Sequence, residues 1–387
     1  MGTKVIVSAG ERSGDTHAAN LVREVLRRRK DVEFEGFGGE LMAAAGCKVH
    51  EDLVSVASMG FGFVAHFWRY VRVVRKFDRL LRESNPACVI LVDSPGLNFA
   101  LARLARWRGV PVVYYICPQI WAWAPWRLAK VLRYTDLLLT ILPFEKALYA
   151  NDRVPVISVG HPVGDSLARV PPSAGEELRE RLRIRKSDRV IAILPGSREQ
   201  EIVDLMPLFR NIIDRMDLDP DRHRLLISSF KEKFRAAVEE ALFGCRIPHE
   251  VLADDSRIIT QASDLVLVAS GTASLEVAFY EKPMLVLYQA SRMKRFLFNL
   301  FSVTPFIAMP NILGASLNGG EPVVLERLCE GDEAEELAPI ALSLLSDGEE
   351  RARSIARLTR LKDQVIAPGA TARAADALLE LLSSRGL

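Results

Sequence analysis

Three short stretches of the chain carry residue types and spacings that could do chemistry. The first is Ser270-Gly271-Thr272, with Glu276 one turn further on. It follows the apolar run Leu265 to Ala269 and precedes a helical pattern made by Leu275, Val277, Ala278 and Phe279. A strand, a tight turn and a helix present free backbone N–H groups at a helix N-terminus, where a diphosphate would sit. Glu276 could then accept hydrogen bonds from ribose hydroxyls. The same residues also suit an ordinary strand-to-helix turn with Ser or Thr as cap. The second stretch, Pro195-Gly196-Ser197-Arg198, follows an apolar strand at 190–194. Gly196 and Ser197 let the backbone approach an anion, and Arg198 offers a fork of donors suited to phosphate. The third, Asp93-Ser94-Pro95-Gly96-Leu97-Asn98, ends the apolar run 88–92. An Asp at the carboxyl end of a buried strand is placed to face a cleft and to take a proton from a hydroxyl nucleophile. Its bland counterpart is a turn Asp.

Weaker signals surround these. Gly10-Glu11-Arg12-Ser13-Gly14-Asp15 reads as a glycine-bearing loop that opens a helix, and lacks the third glycine of a dinucleotide fingerprint. Close approach to a polar ligand near Gly14 is the most it implies. Gly36-Phe37-Gly38-Gly39 reads as a second backbone-exposing loop. His161, before Pro162, is either catalytic or a structural histidine at a domain hinge. Asp217-Leu218-Asp219 has the spacing of a metal-binding pair, but its charged, proline-containing surroundings read as a solvated turn, so no metal site is expected.

The elements that must hold these residues follow from the apolar pattern. Strands at 4–8, 88–92, 110–116 and 137–141 alternate with helices near 15–29, 67–82, 98–107 and 127–132. That is the alternation of a doubly wound α/β domain. Strands at 190–194, 224–228, 249–252 and 284–287 make a second α/β unit, with amphipathic helices near 334–346 and 370–385. Pro171-Pro172-Ser173 reads as the linker. The expected domains are 1–168 and 169–387, with the last helices packing back on the first domain or on a partner. A length of 387 residues allows two such cores, and a net charge of +2 makes no case for nucleic acid. The five cysteines are scattered, without CxxC or a nearby His pair, and read as reduced thiols of a cytosolic protein. Nothing approaches a membrane span.

Two segments suggest a membrane surface instead. Residues 53–77 contain no acid; Phe61, Phe63, Val64, Phe67, Trp68, Val71, Val74 and Phe77 form an apolar stripe beside Arg69, Arg72, Arg75 and Lys76. Arg292-Met293-Lys294-Arg295-Phe296-Leu297-Phe298 repeats the theme. A core-packed helix with a solvated basic face has the same look. Between Asp93 and Asp136 there is again no acid but six Arg or Lys, a one-signed field suited to an anionic ligand or lipid surface. Trp121-Ala122-Trp123-Ala124-Pro125-Trp126 reads as a rigid loop bordering the same cleft.

A donor-phosphate turn in one α/β unit and a cleft Asp in the other resemble GT-B, the glycosyltransferase architecture of two Rossmann-like domains facing across a cleft. Over nearly its whole length the chain resembles the lipid-A-disaccharide synthase family. The resemblance rests on Ser8-Ala9-Gly10-Glu11 with Ser13-Gly14-Asp15, Asp93-Ser94-Pro95 with Asn98, Trp121-Ala122-Trp123 and Leu142-Pro143-Phe144-Glu145. It continues through Gly160-His161-Pro162 with Asp165, Leu194-Pro195-Gly196-Ser197-Arg198, Ala269-Ser270-Gly271-Thr272-Ala273 with Glu276, and Pro310-Asn311. It implies transfer of 2,3-diacylglucosamine from UDP to 2,3-diacylglucosamine 1-phosphate, with inversion and without a metal or other cofactor, to give a β-1,6 disaccharide 1-phosphate and UDP. Asp93 becomes the general base for the acceptor hydroxyl. Arg198, Ser270, Gly271, Thr272 and Glu276 become the UDP site, with Asn311 nearby. A cytoplasmic enzyme peripheral on the inner face of the membrane, and a homodimer through the terminal helices, are implied likewise. The chain departs from the family pattern at Gly96, where a second Asp is usual, and in a longer loop after Asn311 that lacks a Gly-Arg-Glu run. The alternatives are another UDP-GlcNAc-type transferase or epimerase of this architecture, or a non-catalytic nucleotide- or membrane-binding relative.

Overall fold

In a computed structural model the described residues are 2–54, 63–118, 120, 125–196, 199–229, 232–289, 305–315 and 319–385. They form two compact units, Met1–Asp165 with Pro368–Leu387, and Ser166–Ala367.

Unit 1 is built on parallel strands β1 (Thr3–Ala9), β2 (Val32–Gly38), β3 (Lys48–Asp52), β4 (Cys88–Val92), β5 (Val112–Tyr115), β6 (Leu137–Thr140) and β7 (Val156–Ser158). Their order in the sheet is β3-β2-β1-β4-β5-β6-β7. Every residue of β4 and β5 is buried, because helices cover both faces of such a sheet, and this is why these strands read as unbroken apolar runs. The run Gly36-Phe37-Gly38-Gly39, expected as a loop, instead forms the end of β2 through Gly38. A Cβ on Gly36 would collide with the Val7 carbonyl of β1, so its glycine serves close strand approach rather than a ligand. The final helix, Ala370–Ser384, belongs to this unit and packs on helix Arg12–Arg28. The Asp165 carboxylate anchors it by accepting from the N–H groups of Gly369 and, at 2.7 Å, of Thr371.

Unit 2 repeats the plan with parallel strands β8 (Arg189–Leu194), β9 (His223–Ser228), β10 (His249–Leu252), β11 (Leu265–Ala269), β12 (Met284–Gln289) and β13 (Leu325–Cys329). The order is β10-β9-β8-β11-β12-β13. Ile191, Ile193, Leu265, Leu267, Leu285 and Leu287 pack against Phe209 and Ile212 of helix Glu199–Arg215 in its core.

In both sheets the strand order reverses once, between β1 and β4 in unit 1 and between β8 and β11 in unit 2. Ligands of open α/β sheets bind at the carboxyl ends of strands at such a reversal. Asp93 follows β4; Pro195-Gly196 and Ser270-Gly271 follow β8 and β11. Each of the three chemistry-bearing stretches therefore starts at a reversal point.

The aromatic-basic segment is described only in part. Helix Phe63–Ser84 buries Val73 and Phe77 in the unit 1 core while Arg72, Arg75 and Lys76 are exposed. The side chains of 55–69, the Trp121–Ala124 stretch and the run 292–298 lie outside the described residues. Among the described residues no helix is long and apolar enough to cross a membrane.

Candidate active site

At the reversal point of unit 2 lies a cavity of about 340 Å³, lined by Pro195, Gly196, Ser228, Ser256, Ser270, Gly271, Thr272 and Glu276 among others. Two glycines shape its mouth. Gly196 has φ +115°, and a Cβ there would stand 2.5 Å from the Glu201 carboxylate. Gly271, with φ 155° and ψ −162°, caps helix Thr272–Phe279 in a region of backbone space open essentially to glycine alone. The first turn of that helix directs N–H groups toward the cavity side, which makes it electropositive. Thr272 is exposed at its first position. Ser270 is partly committed elsewhere, since its hydroxyl donates to the Ile307 carbonyl at 3.2 Å.

Glu276 is the titratable group of this cavity. Its carboxylate accepts from the Ser256 hydroxyl at 3.4 Å. Burial pushes its pKa up to about 7; Arg257 opposes this, and Asp255 adds to it. Arg257 is held by Asp255, its Nε 2.8 Å from both carboxylate oxygens, so its charge is shared. Glu276 thus titrates well above the usual carboxylate range. An ionised carboxylate has room on its two oxygens for two hydroxyl donors; protonation takes up one of those positions.

The other residues expected at the donor site are placed differently. Asn311 does not line the cavity. It is fully buried, and its amide donates to the Val324 carbonyl and the Glu326 carboxylate, each at 2.9 Å, and accepts from the Val324 N–H at 2.9 Å. Both of its amide hydrogens and one lone pair of its oxygen are thus engaged within unit 2. Gly14 belongs to unit 1, inside the first turn of helix Arg12–Arg28, which begins earlier than the sequence suggests. A Cβ there would meet Ala9 at 3.5 Å and the Val92 carbonyl at 3.6 Å, ordinary contacts, so packing does not demand glycine at this position. Its neighbour Asp15 is buried and accepts from the N–H groups of Gly39, Leu41 and Met42. Ser197 and Arg198 lie outside the described residues.

In unit 1, Asp93 is half-buried with φ +49°, and Ser94 follows at φ +43°. Two consecutive non-glycine residues in the left-handed region are costly and persist only where their surroundings dictate it. Here the Asp93 carbonyl accepts from the Asn98 amide at 2.7 Å and from the Tyr114 hydroxyl at 2.7 Å. Asn98 is steadied in turn by the Ser8 hydroxyl, 3.0 Å from its Oδ1. Burial, and then the Glu11 carboxylate, raise the Asp93 pKa, while the Ser94 N–H lowers it. A raised pKa makes a better proton acceptor among carboxylates.

His161 is placed as a structural group. Its Nδ1 accepts from the Val163 N–H at 3.2 Å, and burial lowers its pKa to about 3. His17 beside it is lowered to about 4, also by burial, against the pull of Asp165. Ser256, Ser228 and Tyr114 are the contributors that sequence reasoning missed. Ser256 had a signal, since Asp255 caps its helix by accepting from the Arg257 N–H at 3.0 Å. Tyr114, inside an apolar strand, had none.

Comparison with known proteins gives a concordant result. The solved structure of UDP-GlcNAc 2-epimerase from Neisseria meningitidis bound to UDP-GlcNAc superposes with a TM-score of 0.62 at 14% identity, covering 98% of this chain and 100% of that one. Acinetobacter baumannii MurG does so at 0.60 and 14%, covering 98% and 99%. At such identities the likeness shows the fold, the GT-B pairing of two Rossmann-like domains. Curated proteins named lipid-A-disaccharide synthase, from Pseudomonas syringae pv. syringae (strain B728a) and Myxococcus xanthus (strain DK1622), are each 32% identical over 98% of this chain and 97% of their own. A family model described as lipid-A-disaccharide synthetase matches residues 5–377. A match that runs through both units, from β1 into the final helix, leaves neither half to a different family: the chain belongs to the lipid-A-disaccharide synthetase family.

Proposed function

We propose that this chain is the hexosyltransferase that joins UDP-2,3-diacylglucosamine to 2,3-diacylglucosamine 1-phosphate, giving the β-1,6 disaccharide 1-phosphate and UDP. The observation that carries this reading is the family match over residues 5–377; the cavity of unit 2 supplies the chemistry. In this reading the diphosphate lies at the N-terminus of helix Thr272–Phe279, against the backbone of Gly196 and Gly271, and Glu276 takes the ribose. Negative charge grows on the departing UDP in the transition state. Fixed N–H donors at that helix start lower the barrier without a metal ion, and Arg198 is the cation that the family resemblance assigns to the same charge.

Asp93 is the proposed general base, taking the proton of the acceptor 6-hydroxyl as that oxygen attacks the anomeric carbon. The bond to UDP breaks as the new glycosidic bond forms, which inverts the configuration. Acyl chains keep both sugars at a bilayer, each buried methylene contributing about 0.8 kcal/mol. The enzyme therefore works at the inner membrane surface as a peripheral protein. Purified protein is incubated with the two acylated sugars, and the products are read by mass spectrometry. Appearance of the tetra-acyl disaccharide 1-phosphate supports the reading. Turnover of unacylated UDP-GlcNAc alone would move the assignment to the epimerase or soluble-transferase class.

A further inference from the structure

Several hydroxyls wall the cavity of unit 2, and they are not equivalent. Ser270 spends its proton on the Ile307 carbonyl. Thr272 stands exposed at the first position of its helix, beside Gly271. Ser256 differs from both: its hydroxyl lies 3.4 Å from Glu276 Oε2 and donates to it. Ser256 comes after β10 and Glu276 after β11, so the pair joins two helices, Ser256–Ala262 and Thr272–Phe279, that pack on one another. Each of the two residues is half-buried. The surroundings fix Ser256 in place. The Asp255 carboxylate caps its helix by accepting from the Arg257 N–H at 3.0 Å, and the Thr260 hydroxyl donates to the Ser256 carbonyl at 2.7 Å.

A serine hydroxyl has one proton and two lone pairs. With the proton given to Glu276, both lone pairs of Ser256 are left to accept. An ionised Glu276 likewise keeps acceptor positions beside the one that Ser256 fills. The Arg257 guanidinium is spent on Asp255. The Ser256–Glu276 pair therefore presents neighbouring acceptors on one wall of the cavity, and the matching ligand group carries two neighbouring O–H donors. The cis-diol of a ribose is such a group. When one of its hydroxyls donates to Ser256, and Ser256 donates to the carboxylate, each bond in the chain polarises the next. A separation of 3.4 Å is long for an O–H···O bond, and bonds of this kind tighten once substrate completes them.

We propose that Ser256 and Glu276 grip the ribose cis-diol together, one hydroxyl on each, and that Ser256 makes this site select ribonucleotides over their deoxy counterparts. The inference rests on the placement of a nucleoside diphosphate in this cavity. It goes beyond that placement by giving half of the sugar recognition to a residue outside the diphosphate turn and its helix. A site built to hydrogen-bond a substrate hydroxyl rejects the analogue lacking it, because the site's own polar group is then left unpaired. Ser256 also acts back on the carboxylate. Its hydrogen bond favours the ionised form of Glu276, so its removal raises the pH needed for tight binding.

The test is calorimetry of the full chain at pH 8 with UDP, 2′-deoxy-UDP and 3′-deoxy-UDP. Wild type is expected to bind either deoxy analogue roughly tenfold more weakly than UDP, the worth of one hydrogen bond in a chain that ends on a charge. Ser256→Ala is expected to lose roughly tenfold for UDP and for one of the analogues. It should bind the other analogue as wild type does, because the contact removed from the protein is the one already missing from that ligand. Ser256→Thr keeps the hydroxyl and is expected to restore the wild-type order. With UDP-GlcNAc, the midpoint of the pH dependence is expected to move up in Ser256→Ala, a change that a merely structural serine would not cause. If Ser256→Ala weakens all three nucleotides by the same factor, or weakens none, the proposal is overturned. Equal binding of UDP and both analogues by wild type would also overturn it, while leaving the nucleotide site in place. No binding of any nucleotide by wild type would overturn the site and the proposal together.

Discussion

The Asn98 side-chain amide donates to the main-chain carbonyl of Asp93 across 2.7 Å, and the Tyr114 hydroxyl reaches the same oxygen from β5. A backbone turn with φ +49° at Asp93 is thereby held from two directions. Tyr114→Phe removes one of the two donors while keeping the ring that fills the core. We expect a folded protein with stability lower by about 1 kcal/mol and turnover lower by roughly tenfold, since small displacements of a reacting group are costly. The UDP dissociation constant, which reads unit 2, is expected to stay put. A steady-state comparison showing unchanged kcat would remove Tyr114 from any positioning role.

Gly271 offers a clean test of backbone conformation. A Cβ there meets nothing within 4 Å, so Gly271→Ala changes only the preference for φ 155°. The strain is of order 1–3 kcal/mol, and the alternative is a turn that no longer presents its N–H groups. Calorimetry is expected to show UDP binding weakened at least tenfold. Unaltered affinity would mean that the diphosphate does not lie on this turn.

Binding should also depend on pH through Glu276. Its pKa is raised to about 7, so the ionised, ribose-accepting form is depleted as pH falls below that value. Affinity for UDP-GlcNAc, whose diphosphate diester does not titrate there, is expected to drop by up to about tenfold per pH unit below 7. Glu276→Gln should flatten the profile. A wild-type profile that is flat between pH 6 and 8 would exclude Glu276 from the ribose contact.

Stability carries a separate acid signature from the paired histidines. His17 and His161 are held to about 4 and about 3 when folded, against 6.5 ordinarily. The unfolded chain takes up protons below pH 6.5 that the folded chain refuses. Their contribution is therefore complete above pH 6.5 and is lost as pH falls toward 4. Melting temperature followed from pH 8 to 4.5 is expected to fall through that window, and less steeply in His17→Gln. Equal slopes in the two proteins would show that His17 charges freely in the fold.

Much of this was legible in the chain. Strands β1, β4, β8 and β11 announce themselves because both faces are buried, and the residues at their carboxyl ends stand out against that apolar background. Strand order does not follow from pattern, so the reversal points that unite Asp93 with one sheet and Gly196 with Gly271 in the other appear only in the fold. Strands β2 and β3 were hidden by Glu33, Glu35, Glu51 and Asp52 and by the glycines that permit close approach. An amide such as Asn311 looks the same in sequence whether it faces a ligand or the protein's own groups, and its bonds to Val324 and Glu326 appear only in the fold. The helix at the chain's end returns to unit 1 through Asp165, a contact between residues about two hundred positions apart that no local pattern encodes.

The most direct measurement is the turnover of Asp93→Asn with both acylated substrates, with disaccharide and UDP quantified together. Asn keeps the shape and the carbonyl bracket but cannot take a proton. We expect wild-type melting, wild-type UDP affinity and a kcat lower by roughly 10²–10⁴-fold. Turnover within a few-fold of wild type would contradict the role given to Asp93, and with it the mechanism proposed for this enzyme.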